Sequence, residues 1–222
     1  MKDQKEKRRA NLFSLLMFLL VIAVGVSAVQ RAKEMQKIDY LEYLDEWAVA
    51  IDEKEYAFRD LAFYLAYQEM TTEKQAEVYD LKQPVKYWNI HTNGVFVRAE
   101  AKKMAMEMAV HDEIFYQMAD KNQIELNQKE TEYMENQKLD FWNDLEEEGQ
   151  TRLGVSFEEI SDTFEHMALA QKMQQTLADT EGVDYREYNV DGDMYQELLK
   201  EHTFKINESL WKRLNFGKII VS

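Results

Sequence analysis

The chain contains no cysteine, a single proline (Pro84) and only seven glycines in 222 residues. Without cysteine there is no disulfide, no thiolate nucleophile, no cysteine metal site and no lipid-modified cysteine. So little proline and glycine leaves few tight turns for a sandwich or barrel, and helices should dominate. No Gly-x-Ser-x-Gly elbow, phosphate-cradling glycine loop or dinucleotide fingerprint is present. Basic charge is scarce as well: 27 Lys and Arg stand against 42 Asp and Glu, a net charge of -15. That balance argues against a nucleic-acid partner, because a polyanion needs clustered cations to release its counterions. The four histidines (His91, His111, His166, His202) show neither His-x-x-x-His nor Glu-x-x-His spacing. Asn189, Asp191, Gly192 and Asp193 imitate the middle of a calcium loop, but Leu198 stands where a bidentate carboxylate is needed. No carboxylate pair is marked out as a general acid and base. The expectation is therefore no cofactor, no metal and no enzymatic activity.

What is present begins with an uneven charge distribution. Residues 1–10 hold five basic and two acidic side chains and precede an apolar run from Leu12 to Val29. Eighteen helical residues span about 27 Å, close to the thickness of a hydrocarbon core. The reading is a basic cytoplasmic tail (1–10) and a single-pass transmembrane anchor (11–30). The stronger basic flank places the N-terminus inside and the bulk of the chain outside the cell membrane. Cleavage near Ala28, giving a secreted product, is the alternative. The bilayer is thus one expected partner, through Leu12 to Val29.

Residues 31–46 read as a helical stalk. From Trp47 to Phe58 the pattern alternates around Asp52-Glu53-Lys54, which predicts a β-hairpin. A helix follows from Asp60 to about Tyr79, with Leu61, Tyr64, Leu65 and Tyr67 as buried candidates. Leu81 to Gly94, with Pro84 and Asn93-Gly94, reads as a loop. The next stretch, Val95 to Leu126, organises the rest. Val97, Ala101, Met104, Met108, His111, Phe115 and Met118 recur at alternating spacings of four and three, one side of a helix. Arg98, Glu100, Lys102, Lys103, Glu107, Asp112 and Glu113 occupy the other side. Asn127 to Glu130 and Ser156 to Glu159 are capping patterns that open two further helices. The first should end near Gly149 and the second near Ala178. A short helix from Asp193 to His202, an alternating strand at Thr203 to Ile206, a helical turn at Glu208 to Leu214 and a β-favouring tail at Lys218 to Val221 complete the chain. Residues 47–222 read as one domain.

The order of elements resembles a known family. The hairpin Ala50-Ile51-Asp52-Glu53-Lys54-Glu55-Tyr56, the helix from Asp60 and the long helix ending Asp112-Glu113-Ile114-Phe115-Tyr116-Gln117-Met118-Ala119 carry the likeness. So does Asn122-Gln123-Ile124-Glu125-Leu126 before a capped helix. Together they resemble the N-terminal chaperone domain of the SurA and PrsA group of extracytoplasmic foldases. The tail, Tyr195 to Leu199 and Phe204 to Trp211, is similar to the segment that follows the isomerase domain in such proteins. Only Asp179 to Val190 fills the gap where a parvulin-type prolyl isomerase domain would stand, too short for any domain.

The resemblance implies a mainly α fold: an N-terminal transmembrane helix, then a helical domain whose small hairpin sheet is joined by the C-terminal segment. Thr203 to Ile206 should pair with the hairpin. The implied function is binding of unfolded or nascent secreted polypeptides without prolyl isomerisation. Pliable methionines and aromatics would line the groove, and the candidates are Phe63, Tyr67, Tyr87, Trp88, Met104, Met108 and Phe115. A bitopic scaffold or assembly protein with one dedicated envelope partner is the alternative.

Overall fold

The computed structural model describes residues 36–80, 82–92 and 94–221. In chain order they form β1 (Trp47–Ile51), β2 (Lys54–Ala57), α1 (Ala62–Tyr79), the short strands β3 (His91–Thr92) and β4 (Val95–Phe96), and α2 (Val97–Lys121). Then come α3 (Gln128–Asp144), α4 (Glu146–Leu153), α5 (Phe157–Glu181), α6 (Asp193–Leu199), β5 (Phe204–Ile206) and α7 (Glu208–Trp211). Single 3-10 segments at Leu41–Tyr43, Arg59–Leu61, Pro84–Asn89 and Tyr185–Tyr188 fill the connections.

The long helices α2 and α5 pack on one another, with α1 against α2 and α3 against α5. Alanines 101, 105 and 109 fall four apart on α2 and are buried, so neighbouring helices can approach closely along that line. Both expected capping boxes form. Asn127 Oδ1 accepts the Glu130 N–H at 3.1 Å while Glu130 Oε2 accepts the Asn127 N–H at 2.7 Å. Ser156 Oγ accepts the Glu159 N–H at 3.2 Å, and Glu159 Oε2 accepts the Ser156 N–H at 2.8 Å. Each box satisfies donors that the first turn would otherwise leave open.

β1 and β2 form the expected hairpin, with Ile51 opposite Lys54. Its turn needs no glycine because Asp52 adopts a left-handed conformation (φ 52°), which a short polar side chain tolerates. On the other side of β1 lies β5, antiparallel, with Ala50 opposite Lys205, giving the strand order β2-β1-β5. Thr203 to Ile206 therefore returns to the hairpin, the pairing that the resemblance implies.

Several expectations are corrected. An architecture led by a membrane-spanning helix is not found: no helix among the described residues is long and apolar enough to cross a membrane. The longest, α2 and α5, carry charged residues throughout their length. The run Leu12 to Val29, on which that helix was placed, lies outside the described residues. The described part of the stalk, 36–46, is not a projecting helix. Its Ile38 forms a parallel bridge with Leu214, and Ile38 and Tyr40 are buried. The helix from Gln128 does not continue to Gly149. It breaks between Asp144 and Glu146, where Glu146 takes φ 55°, and α4 restarts. The stripe on α2 underestimates its burial: Met106, Val110, Ile114 and even Glu113 are buried as well, because neighbours cover it on more than one side.

The tail after Leu214 forms no strand. It wraps the carboxylate of Glu69, a fully buried residue of α1. Glu69 accepts backbone N–H groups from Gly217, from Lys218 at 3.1 Å, from Ile219 at 3.0 Å and from Ile220 at 2.9 Å. Gly217, at φ +83°, lies flat under the buried Trp88, and a Cβ there would meet the indole at 3.0 Å. Burial pushes the Glu69 carboxyl above its usual range, and the N–H donors only partly oppose this. Its contribution to stability is therefore complete below the ordinary carboxylate range and declines as pH rises through the raised folded value. Glu69→Ala should lower stability by about 2–4 kcal/mol, because buried tail donors lose their acceptor. Glu69→Gln, which keeps one carbonyl acceptor, should cost less. Thermal unfolding of the two variants checks this, and an unchanged midpoint for the alanine variant would refute the latch.

Candidate functional site

The structure disperses the candidate groove residues. Phe63 is buried, its ring 4.9 Å from both Phe141 and Phe164 and 5.7 Å from Tyr67. Phe115 is fully buried among His111, Tyr188 and Tyr195. Trp88 is buried against Phe216, and its Nε1 donates to Glu73 Oε2 at 2.8 Å. These three fill the interior and are not groove lining. Tyr87 is half-buried and donates to Gln75 Oε1 at 3.0 Å. Met104 and Met108 are half-buried, and Met108 Sδ accepts from Gln68 Nε2 at 3.0 Å. Of the set only Tyr67 is largely exposed, at 42%. Tyr67, expected among the buried residues of α1, is thus exposed, while burial removes Phe63, Trp88 and Phe115 from any ligand.

A polar cleft between the hairpin, α2 and α5 gathers Asp112 and Glu113, which sequence reading placed on the side of α2 opposite its apolar stripe, with the capping Glu159. Tyr56 donates its hydroxyl to Glu113, and Gln117 Nε2 donates to the same oxygen at 3.0 Å. Tyr64 donates to Asp112 Oδ2 at 3.1 Å, while His111 Nδ1 lies 2.8 Å from Asp112 Oδ1 and His111 Nε2 lies 2.8 Å from the Tyr188 carbonyl. Arg59 joins Asp45 to Glu159. Burial, reinforced by Glu113, drives the Tyr56 phenol far above its usual range. Burial also depresses His166, which stacks on Tyr116 at 3.8 Å. Each of these carboxylates is tied to a phenol, an amide or a cation, so the network fastens the hairpin to the helices. His166 and Asp162 also line this cleft. Among the described residues no group of His, Asp or Glu is placed to hold a metal ion.

An apolar opening lies beside β5. Asp52 N–H donates to the Thr203 carbonyl at 2.6 Å and Asn207 N–H to the Ala48 carbonyl at 2.9 Å. In an antiparallel ladder the inward-bonding residues alternate, so Lys205 also bonds toward β1. The main-chain groups of Phe204 and Ile206 then point away from it, along an edge that no other strand among the described residues covers. Their side chains share the face of their partners Ile51 and Val49. Beyond that edge is a groove of about 270 Å³. Its floor includes Met106 and Val110 of α2, Tyr195 and Leu199 of α6, and Trp211 of α7. Phe204, 47% exposed, stands at its border. Ion pairs of Lys103 with Glu107 (2.9 Å) and Glu208 with Lys212 (3.2 Å) mark the rim. A strand edge beside an apolar trough can accept an extended chain: main-chain bonds along the edge, alternate side chains in the trough.

Sequence reading missed this site because no single element carries it. The available signals were short: Phe204 and Ile206 two apart, Tyr195 and Leu199 four apart, and a hairpin whose third strand must leave an edge.

Scanned against protein-family models the chain matches none, and searches of curated proteins and of solved structures return no match.

Asp52 anchors β5 from the hairpin turn. Its Oδ1 accepts the Thr203 N–H at 2.9 Å and its Oδ2 meets His202 Nδ1 at 2.8 Å. The Thr203 N–H, and then His202, hold its carboxyl below the usual range. The anchoring is thus complete above the ordinary carboxylate range and is lost as pH falls through the depressed folded value. Amide exchange at Thr203 should rise relative to the α2 core as pH is lowered through that window, after correction for intrinsic rates. Asp52→Asn should abolish that pH dependence. A pH-independent Thr203 in the native chain would contradict it.

Proposed function

We propose that this chain binds extended apolar segments of unfolded or nascent secreted polypeptides and holds them reversibly, without isomerising prolyl bonds. The observation that carries the reading is the open edge of β5 beside its apolar groove. A client segment would add as a further strand, bonding to the outward groups of Phe204 and Ile206 and placing alternate side chains between α2, α6 and Trp211. Strand addition reads main chain and apolar character, not sequence, which suits a binder of many clients.

The short connection between α5 and α6 supports a holding role. Tyr188 lies buried within it and its carbonyl faces His111, so the connection is part of the core. The resemblance to the extracytoplasmic foldases points the same way. Attachment to a membrane through Leu12 to Val29, with the described residues outside the cell, belongs to the same proposal and rests on the hydropathy and basic flank of the sequence.

The full chain should suppress aggregation of several unrelated unfolded clients. Protection of none, beside one tight pull-down partner, would favour the envelope scaffold instead. The binding mode has its own test. Phe204→Pro deletes an outward N–H that Phe204→Ala retains. The proline variant should bind an apolar extended peptide about three- to tenfold more weakly than the alanine variant, the worth of one main-chain bond. Equal affinities would refute strand addition at this edge.

A further inference from the structure

A second groove, of about 460 Å³, adjoins the first and shares Lys103 and Trp211 with it. Its character is opposite to that of the chain. The protein carries a net charge of -15, yet five cations (Lys37, Arg98, Lys102, Lys103 and Lys212) line this groove and no carboxylate does. Lys103 and Lys212 are balanced by Glu107 and Glu208 outside the lining. Among the described residues, Lys37, Arg98 and Lys102 form no ion pair.

These three are held by neutral groups. Lys102 donates to the Trp211 carbonyl and sits 5.1 Å over the Trp211 ring. Arg98 lies 5.9 Å over the Trp88 ring, and its Nε is buried with no hydrogen-bond partner. Lys37 Nζ is 3.4 Å from the Lys212 carbonyl, just after α7. Burial first, and the Lys37 charge second, push the Lys102 ammonium down to about 8. Cations crowded and desolvated in this way are relieved by an anion between them.

The surroundings indicate which anion. Phe96, on the groove wall, is 53% exposed, and Val95 and Val85 nearby are 41% and 57% exposed. Val85 lies one turn before Asn89, another lining residue, whose Nδ2 donates to the Val85 carbonyl at 3.3 Å. Exposed apolar side chains around a basic trough fit the boundary between headgroups and acyl chains better than they fit a free small anion. Chain length adds a bound. Lys37 follows Val29 by eight residues. At 3.3–3.6 Å per residue the groove lies within about 28 Å of the end of the apolar run, whatever path connects them.

We propose that this groove binds the phosphoryl headgroup of an anionic membrane lipid, with Phe96 and Val85 entering the interface around it. The basic end of an acidic domain then rests on the membrane surface. The choice of a lipid over another anion draws on the membrane-attachment reading, and the cation cluster stands without it.

The test uses the full chain with vesicles of phosphatidylcholine alone and of phosphatidylcholine mixed with phosphatidylglycerol. Flotation with neutral vesicles reports attachment through the apolar run. Amide exchange in residues 95–103 and 211–216 reports the groove. These amides should exchange several-fold more slowly on the anionic vesicles only. The difference should vanish in high salt and in a Lys37→Gln, Arg98→Gln double variant whose unfolding midpoint is unchanged, and persist in Lys102→Arg. Flotation with anionic vesicles alone would uphold the groove while rejecting attachment through Leu12 to Val29. Equal exchange on both vesicle types, or flotation with neither, would overturn the groove. So would the same protection from inorganic phosphate on neutral vesicles, which would identify a free-anion site.

Discussion

The pairing of β5 with β1 is the constraint on which the rest of this structure depends. It brings a segment near the C-terminus back to a hairpin near residue 50, and the chain between the two must close as a compact helical loop. A strand of three residues cannot hold such a return alone. Asp52 fastens its start, Asn207 its end through the Trp47 carbonyl, and Glu69 gathers the backbone of the tail beyond. Each fastening is a polar side chain bonded to main chain, the kind of contact that specifies one register where apolar contact alone would accept several. Among the described residues, the same pairing leaves the outer edge of β5 without a neighbouring strand. The site proposed for clients is thus a by-product of how the chain is closed.

Charge is partitioned with similar economy. The excess of carboxylates keeps the surface negative, while the carboxylates that enter the interior are assigned one by one: Glu69 to the tail, Glu113 to Tyr56 and Gln117, Asp112 to Tyr64 and His111. Three cations without an ion pair among the described residues, Lys37, Arg98 and Lys102, line one trough, two of them over tryptophan rings. An acidic body with one basic, partly apolar end is polarised, and the proposed lipid contact would use that polarity. The two grooves meet at Trp211, so a lipid-docked domain would hold its open strand edge close to the membrane, where exported chains emerge.

Much of the fold was legible because local rules agreed with tertiary ones. The two capping boxes, the hairpin and the strand near Thr203 to Ile206 each follow from a few letters, whereas the pairing of that strand with the hairpin was what the resemblance implied. The long helix from Val97 follows from its periodicity. The split between α3 and α4 was not legible, since Glu146 adopts a left-handed backbone that its side chain does not announce. Nor was the docking of 36–46, because Ile38 and Tyr40 are covered by residues more than 170 positions away in the case of Leu214. The binding site was read least well. Periodic aromatics and methionines mark a core, and Phe63, Trp88 and Phe115 proved to be core. An opening is defined by what a neighbour fails to cover, and that is a property of three elements together. The groove beside β5 required the register of a sheet and the placement of α6 and α7.

The most direct test of the account is to observe a bound client at the strand edge. With an isotope-labelled chain and an extended apolar peptide, nuclear magnetic resonance should show cross-strand contacts between peptide main chain and the residues Phe204 and Ile206. Exchange should slow at those two amides and stay unchanged at Lys205, whose N–H already faces β1. Peptide contacts confined to other faces of the helices, with Phe204 and Ile206 unaltered, would contradict it.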